Sequence, residues 1–131
     1  MTYTNGAQTV TTYPGKRYIK SGADKATNVA EVKWLTEKLA ELSASWKATG
    51  WGYICDISHM PPVTPDVSAE LINLHKQLAA SNCKAMAFVN FAAFITGAQA
   101  KDHQKKSNTV IEEGTFKTEE EAIKWLETVI K

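Results

Sequence analysis

Residues 51–66 read WGYICDISHMPPVTPD, and three signals meet in this stretch. Tyr53, Ile54, Cys55 and Ile57 form a short apolar run rich in aromatic and β-branched residues, broken by Asp56. A run of that length without alternation suits a strand covered on both faces, as at the centre of a parallel sheet. His59-Met60-Pro61-Pro62 cannot extend the ladder, because prolines lack the N–H donor and hold the chain extended. Thr64-Pro65-Asp66 then opens a helix: Thr is a good N-cap, Pro is tolerated at the first helical position, and Asp answers the helix dipole. A loop at the carboxyl end of a central strand thus feeds a helix N-terminus. In open α/β sheets that is where ligands and partners dock.

Downstream, Val67, Leu71, Leu74 and Leu78 form the stripe of a helix over 65–80, which Ser81-Asn82 ends. Residues 83–91, CKAMAFVNF, read as a second buried strand, so strand, helix and strand make a βαβ unit with a right-handed crossover. Upstream, Val29, Val32, Leu35, Leu39, Leu42 and Trp46 recur at three- and four-residue steps, predicting an amphipathic helix over 27–46 stopped near Gly50. Before it, the β-prone runs 9–13 and 16–20 flank Pro14-Gly15 as a hairpin, and Ser21 to Asp24 punctuate the chain. Residues 1–8 are polar and expected to fray as a flexible N-terminus, leaving a single domain over 9–131.

Toward the other end, residues 91–107 suit a helix weakened by Gly97, with a polar basic tail. Residues 109–113 (TVIEE) read as an edge strand in which Glu112 and Glu113 discourage further pairing. Gly114-Thr115 reads as a turn. Thr118 with Glu121 is a capping box opening a last helix, whose buried stripe is Ala122, Trp125, Leu126 and Val129. The fold class is α/β: a mixed sheet of about four to five strands with about four helices, in the order β-β-α-β-α-β-α-β-α.

Composition bounds the function. Fifteen basic against fourteen acidic residues give a net charge of +1, which argues against a nucleic-acid footprint. No apolar run reaches the roughly 20 residues of a membrane-spanning helix, and the first ten residues lack signal-peptide character. Cys55 and Cys83 fall at apolar strand positions and suggest reduced thiols, so a cytoplasmic location is expected.

Two segments resemble the STAS superfamily (sulfate transporter and anti-sigma factor antagonist), particularly its SpoIIAA-like branch. Tyr53-Ile54-Cys55-Asp56-Ile57-Ser58, with the loop and helix after it, is similar to that family's central strand and adjoining helix. Phe116 to Leu126, FKTEEEAIKWL, resembles the ending of many SpoIIAA-like proteins. The arrangement covers most of the chain from about residue 9. The resemblance implies a binding or regulatory domain that meets a protein partner, such as an anti-sigma-type regulator, or a small apolar or lipid-like ligand. It also implies a phosphorylatable hydroxyl at the start of the helix after the central strand. Thr64 and Ser68 are the hydroxyls there, but Pro65 stands near the expected acceptor and departs from the pattern. Without phosphate, Thr64 is simply a cap.

The residues themselves support binding better than catalysis. Asp56, Ser58 and His59 bring an acid, a hydroxyl and an imidazole together, but neighbours on one strand point to opposite faces and seldom form a triad. The plainer account is a polar strand end bonded to its own loop. Cys55 near His59 suggests a thiolate nucleophile, whereas a cysteine beside Ile54 in a buried run more often belongs to the core. His59, His75 and His103 form no metal-ligand pair at helical spacing, and no glycine-rich phosphate loop occurs, so neither metal nor cofactor is expected. Trp34, Trp46, Trp51 and Trp125 read as packing residues. Lys101, Lys105 and Lys106 read as a solvated helix end, with an acidic partner or phospholipid as the alternative.

The expected function is therefore non-enzymatic binding or regulation. The contact surface comprises Asp56, Ser58, His59, Met60, Val63, Thr64, Asp66 and Ser68, with Met60, Pro61, Pro62 and Val63 as an exposed apolar patch. The alternative from another class is a small enzyme using Cys55 or the Asp56/His59 pair. A homodimer is a third arrangement.

Overall fold

The computed structural model describes residues 1–89 and 111–130. One mixed sheet of six strands carries the fold, in the spatial order β1-β2-β3-β4-β5-β6. The strands are β1 (Thr2–Asn5), β2 (Gln8–Thr12), β3 (Tyr18–Ala23), β4 (Trp51–Asp56), β5 (Cys83–Val89) and β6 (Glu112–Phe116). The first three run antiparallel to one another, whereas β3 to β6 are all parallel. The described helices are α1 (Val29–Ser43), extended by a short 3-10 turn over Ala44–Trp46, α2 (Pro65–Ala80) and α3 (Glu119–Val129).

The apolar run at Trp51–Asp56 forms β4, with β3 and β5 on its two sides. Its side chains divide between two apolar layers, which is why it shows no polar alternation. Trp51 and Tyr53 enter a core with Leu35 and Leu39 of α1 and Leu74 and Leu78 of α2. Ile54 enters a second core with Ala85, Ala87, and Ala122 and Leu126 of α3. Gly52 lets α3 sit close on the sheet, since a Cβ there would lie 2.9 Å from Leu126 Cδ2. Helices α1 and α2 share a face because successive crossovers of one hand, stepping the same way along a sheet, fall on the same side.

The structure departs from the sequence reading at both ends. Residues 1–8, expected to fray, supply β1, which pairs with β2 from Thr2↔Thr11 to Asn5↔Gln8 through a turn at Gly6 (φ 59). Cross-strand pairing orders a mostly polar segment, with Tyr3 as its contact to the core. Ser21 to Ala23 continue β3 instead of punctuating the chain, because Ser21 and Ala23 face the core. The last strand is Glu112–Phe116, so Gly114 lies within it and not in a turn. The Phe116 ring covers that glycine, with 2.9 Å between Cε2 and a built Cβ. Helix α1 starts at Val29 behind a complete capping box, in which Asn28 Oδ1 accepts from Glu31 N at 2.8 Å and Asn28 N donates back to Glu31 Oε1 at 3.3 Å. The helix expected over 91–107 lies outside the described residues, as does the start of the 109–113 strand.

Glu31 also ties the N-terminal hairpin to α1. Its Oε2 accepts from Ala7 N at 3.2 Å and its Oε1 from Thr27 Oγ1 at 2.8 Å. A Cβ on Gly6 would fall 1.7 Å from that same Oε2. Glu31→Ala and Gly6→Ala should therefore each cost about 2 kcal/mol in urea unfolding, one by deleting the carboxylate and the other by expelling it. The double variant should cost clearly less than the sum, because both changes remove the same bonds. Simple additivity would show that Gly6 and Glu31 act separately.

Candidate functional site

The chain leaves β4 at Asp56 and enters α2 at Pro65, and the loop between is built in two directions. On its polar side Asp56 Oδ1 accepts from Ser58 N at 3.0 Å, and the Ser58 hydroxyl donates to the Val89 carbonyl at 3.3 Å. Ile57 N donates to that same carbonyl at 3.0 Å, extending the β4–β5 ladder by one bond. Thr64 stands at the N-cap of α2 with extended backbone, and its carbonyl accepts from Ser68 N at 2.9 Å. Its hydroxyl, however, donates to the Asp66 carboxylate instead of accepting a backbone N–H. That bond holds the Asp66 carboxyl below the usual carboxylate range.

On its inner side the loop roofs an interior cavity of about 40 Å³ between the sheet and α1 and α2. Met60 and Val63 reach down from the loop, Leu35 and Leu74 rise from the helices, and Met86 and Phe88 line it from β5. Of the apolar patch expected in the loop, Pro62 is exposed, whereas Met60, Pro61 and Val63 are half-buried. Prolines 61 and 62 hold the segment extended while the cavity draws Met60 inward, so the patch does not form a continuous exposed surface. The cavity wall also carries polar atoms that the sequence reading did not single out. Tyr53 and Ser21, both buried, share a hydroxyl–hydroxyl bond, and Cys55 adjoins them. Burial pushes the Tyr53 hydroxyl well above its ordinary value and the Cys55 thiol up to about 11. Cys83, bonded to the Ala85 carbonyl at 3.3 Å, is pushed up to about 12 by the same cause.

Outside the sheet, on the α3 side, a second hollow of about 180 Å³ lies over β2 and the end of β3, beyond the Tyr18 contact with α3. Asp56 and His59 reach it from β4 and the loop, and Lys20 from β3. Lys20 Nζ lies 3.4 Å from Glu119 Oε1 and 3.9 Å from Asp56 Oδ2. The three members of the suspected triad are therefore dispersed among different tasks. Asp56 holds the Ser58 backbone, Ser58 holds Val89, and His59 is exposed on the outer hollow. Cys55 lines the inner cavity, on the opposite side of the sheet from the hollow that His59 lines. Ser68 is half-buried in the first turn of α2, while Thr64 and Asp66 are exposed.

His75 is buried on α2 and lines the inner cavity, and His103 lies outside the described residues with Lys101, Lys105 and Lys106. Among the described residues no three His, Cys, Asp or Glu side chains gather as a metal site. No helix among them is long and apolar enough to cross a membrane. Trp51 is fully buried with its indole N–H donating to the Ser81 carbonyl at 2.9 Å, and Trp34, Trp46 and Trp125 pack half-buried against the two cores.

No family model matches this sequence, and no curated protein matches it. Among solved structures, the chain is similar to an uncharacterized protein of the DUF3478 family with a SpoIIAA-like fold from Shewanella loihica PV-4. The two share 15% identity at a TM-score of 0.71, over 96% of this chain and 98% of the other. At that identity the likeness speaks for architecture: the chain has a SpoIIAA-like α/β fold.

Proposed function

We propose that this protein is a non-enzymatic binding or regulatory domain that engages a protein partner through the loop after β4 and the first turn of α2. The observation that carries the reading is the two-sided construction of that loop. Met60 and Val63 anchor it from below, while His59, Pro62, Thr64 and Asp66 are presented to solvent. Such a loop holds a recognition surface in place without an ordering cost on binding. Asp56, Ser58 and Ser68 support it from within. Thr64 is the more accessible hydroxyl for a phosphate switch; phosphate there would replace its bond to Asp66 with repulsion between neighbouring negative groups.

A photo-crosslinking residue at exposed Pro62 should capture one discrete protein in cells, whereas the same residue at exposed Glu37 on α1 should not. Thr64→Glu should change that adduct's yield severalfold. Equal, diffuse labelling from both positions would overturn the reading.

The inner cavity supports a second reading, a small apolar ligand held by the Ser21–Tyr53 pair. Its volume of about 40 Å³ limits the closed form to a few atoms. For scale, a cavity of about 150 Å³ accommodates benzene. A lipid-sized guest would require Met60 and Val63 to swing out, which makes the surface reading the simpler one.

A further inference from the structure

The outer hollow carries a feature that neither packing nor backbone geometry accounts for. Among the described glycines, Gly6, Gly15 and Gly50 have positive φ, while Gly52 and Gly114 are crowded by Leu126 and Phe116. Gly22 has neither constraint among the described residues: a Cβ there would make only ordinary contacts with them, 3.5 Å to the Asp56 carbonyl oxygen and 3.6 Å to Asp56 Cβ. Glycine inside a strand costs roughly 0.5–1 kcal/mol relative to alanine, and one common reason for it is close approach of another molecule. Gly22 lies in a cross-strand row between Thr9 and Asp56, on the floor of the hollow.

The walls define what would fit. Thr9 and Thr11 bring hydroxyls from β2 that make no hydrogen bond among the described residues. Asp24, exposed at the end of β3, forms no ion pair there either. Lys20 is already engaged by Asp56 and, just outside the hollow, by Glu119, so the two carboxylates of the lining, Asp24 and Asp56, face one ammonium that is already paired. An acceptor-rich, net-negative hollow large enough for one side-chain head suits a planar or compact N–H donor cation.

We propose that this hollow is a pocket for a guanidinium or ammonium group, presented by an Arg or Lys side chain of the partner protein. The inference rests on the binding reading above and names the contact beside the loop. The hollow is open to solvent and continuous with the loop through His59 and Asp56, as an inserted partner side chain requires.

The test is an NMR titration of the intact, ¹⁵N-labelled chain with L-argininamide, and with L-citrullinamide as the neutral isostere. Argininamide should produce saturable shifts at the amides of Thr9, Thr11, Gly22 and His59, with citrullinamide at least tenfold weaker. Gly22→Val should abolish the response by filling the floor. Asp24→Asn, at an exposed site with no fold to disturb, should weaken it by about threefold, as loss of an exposed charge pair does. Equal response to both compounds, shifts scattered over the surface, or an unchanged response in both variants would overturn the proposal. A small amine retained on the purified chain in native mass spectrometry would overturn the assignment to a partner side chain. A discrete Pro62 adduct without an argininamide response would sink the pocket and leave the binding reading standing; the reverse pair of results would do the opposite.

Discussion

Replacing both Met60 and Val63 by Asp should lower the unfolding free energy by about 3 kcal/mol or more, because each carboxylate would be drawn out of water into a small, mostly apolar cavity beside Asp56. The structure gives the reason: both side chains are half-buried, Met60 packs on the main core, and both line the cavity with Leu71 and Leu74. Pro62→Asp, in the same loop but exposed, should stay within about 0.5 kcal/mol of the parent. Urea unfolding of the three proteins separates the cases. If the double variant kept parental stability, Met60 and Val63 would have to turn outward in solution, and the apolar contact patch expected from the sequence would return. With the loss observed, any fall in partner binding by this double variant would report a collapsed loop roof, and surface questions would have to be asked at Pro62 and Thr64.

That example marks where the sequence stops being legible. The centre of the fold could be read because periodicity reports burial directly. The β4 run lacks alternation and sits between two apolar layers, and the Val67-Leu71-Leu74-Leu78 stripe became α2 within its expected bounds. Pairing is less visible. TYTN at Thr2–Asn5 offers only Tyr3 to the core, too little to announce a strand, and only the register with β2 reveals it. Glu112-Glu113-Gly114 reads as an edge followed by a turn until the Phe116 ring is seen to cover Gly114. The loop after β4 lies between Asp56 and Pro65 as its prolines predict, yet the inward direction of Met60 depends on a cavity shaped by α1, α2 and β5, which no local pattern encodes. The outer hollow is still more remote from the sequence: Thr9, Gly22 and Asp56 meet only because three strands align in one register.

Stability should fall steeply in alkali, and the thiols are the reason. An ordinary thiol ionises near 9, but burial holds Cys55 at about 11 and Cys83 at about 12. Well below pH 9 both states keep both protons, so the two thiols contribute no pH dependence there. Above it the unfolded chain releases protons that the folded chain retains, and stability is lost as pH rises from about 9 through the folded values. Each thiol costs up to about 1.4 kcal/mol per pH unit across its window, so the loss should reach on the order of 4 kcal/mol by pH 11. That is a large part of the 5–15 kcal/mol typical of a domain. The buried Tyr53 hydroxyl, raised by the same desolvation, adds to the loss in the same direction. Urea unfolding at pH 8, 9, 10 and 11 should show the decline, and Cys55→Ala and Cys83→Ala should each flatten it relative to their own value at pH 8. The result also bears on chemistry. At pH 7.4 a thiol titrating near 11 is thiolate in only about one molecule in several thousand, too little for an efficient nucleophile. A profile that stayed flat to pH 11 would mean that the folded chain ionises these thiols as readily as the unfolded one. The Cys55 nucleophile would then regain its footing against the binding reading.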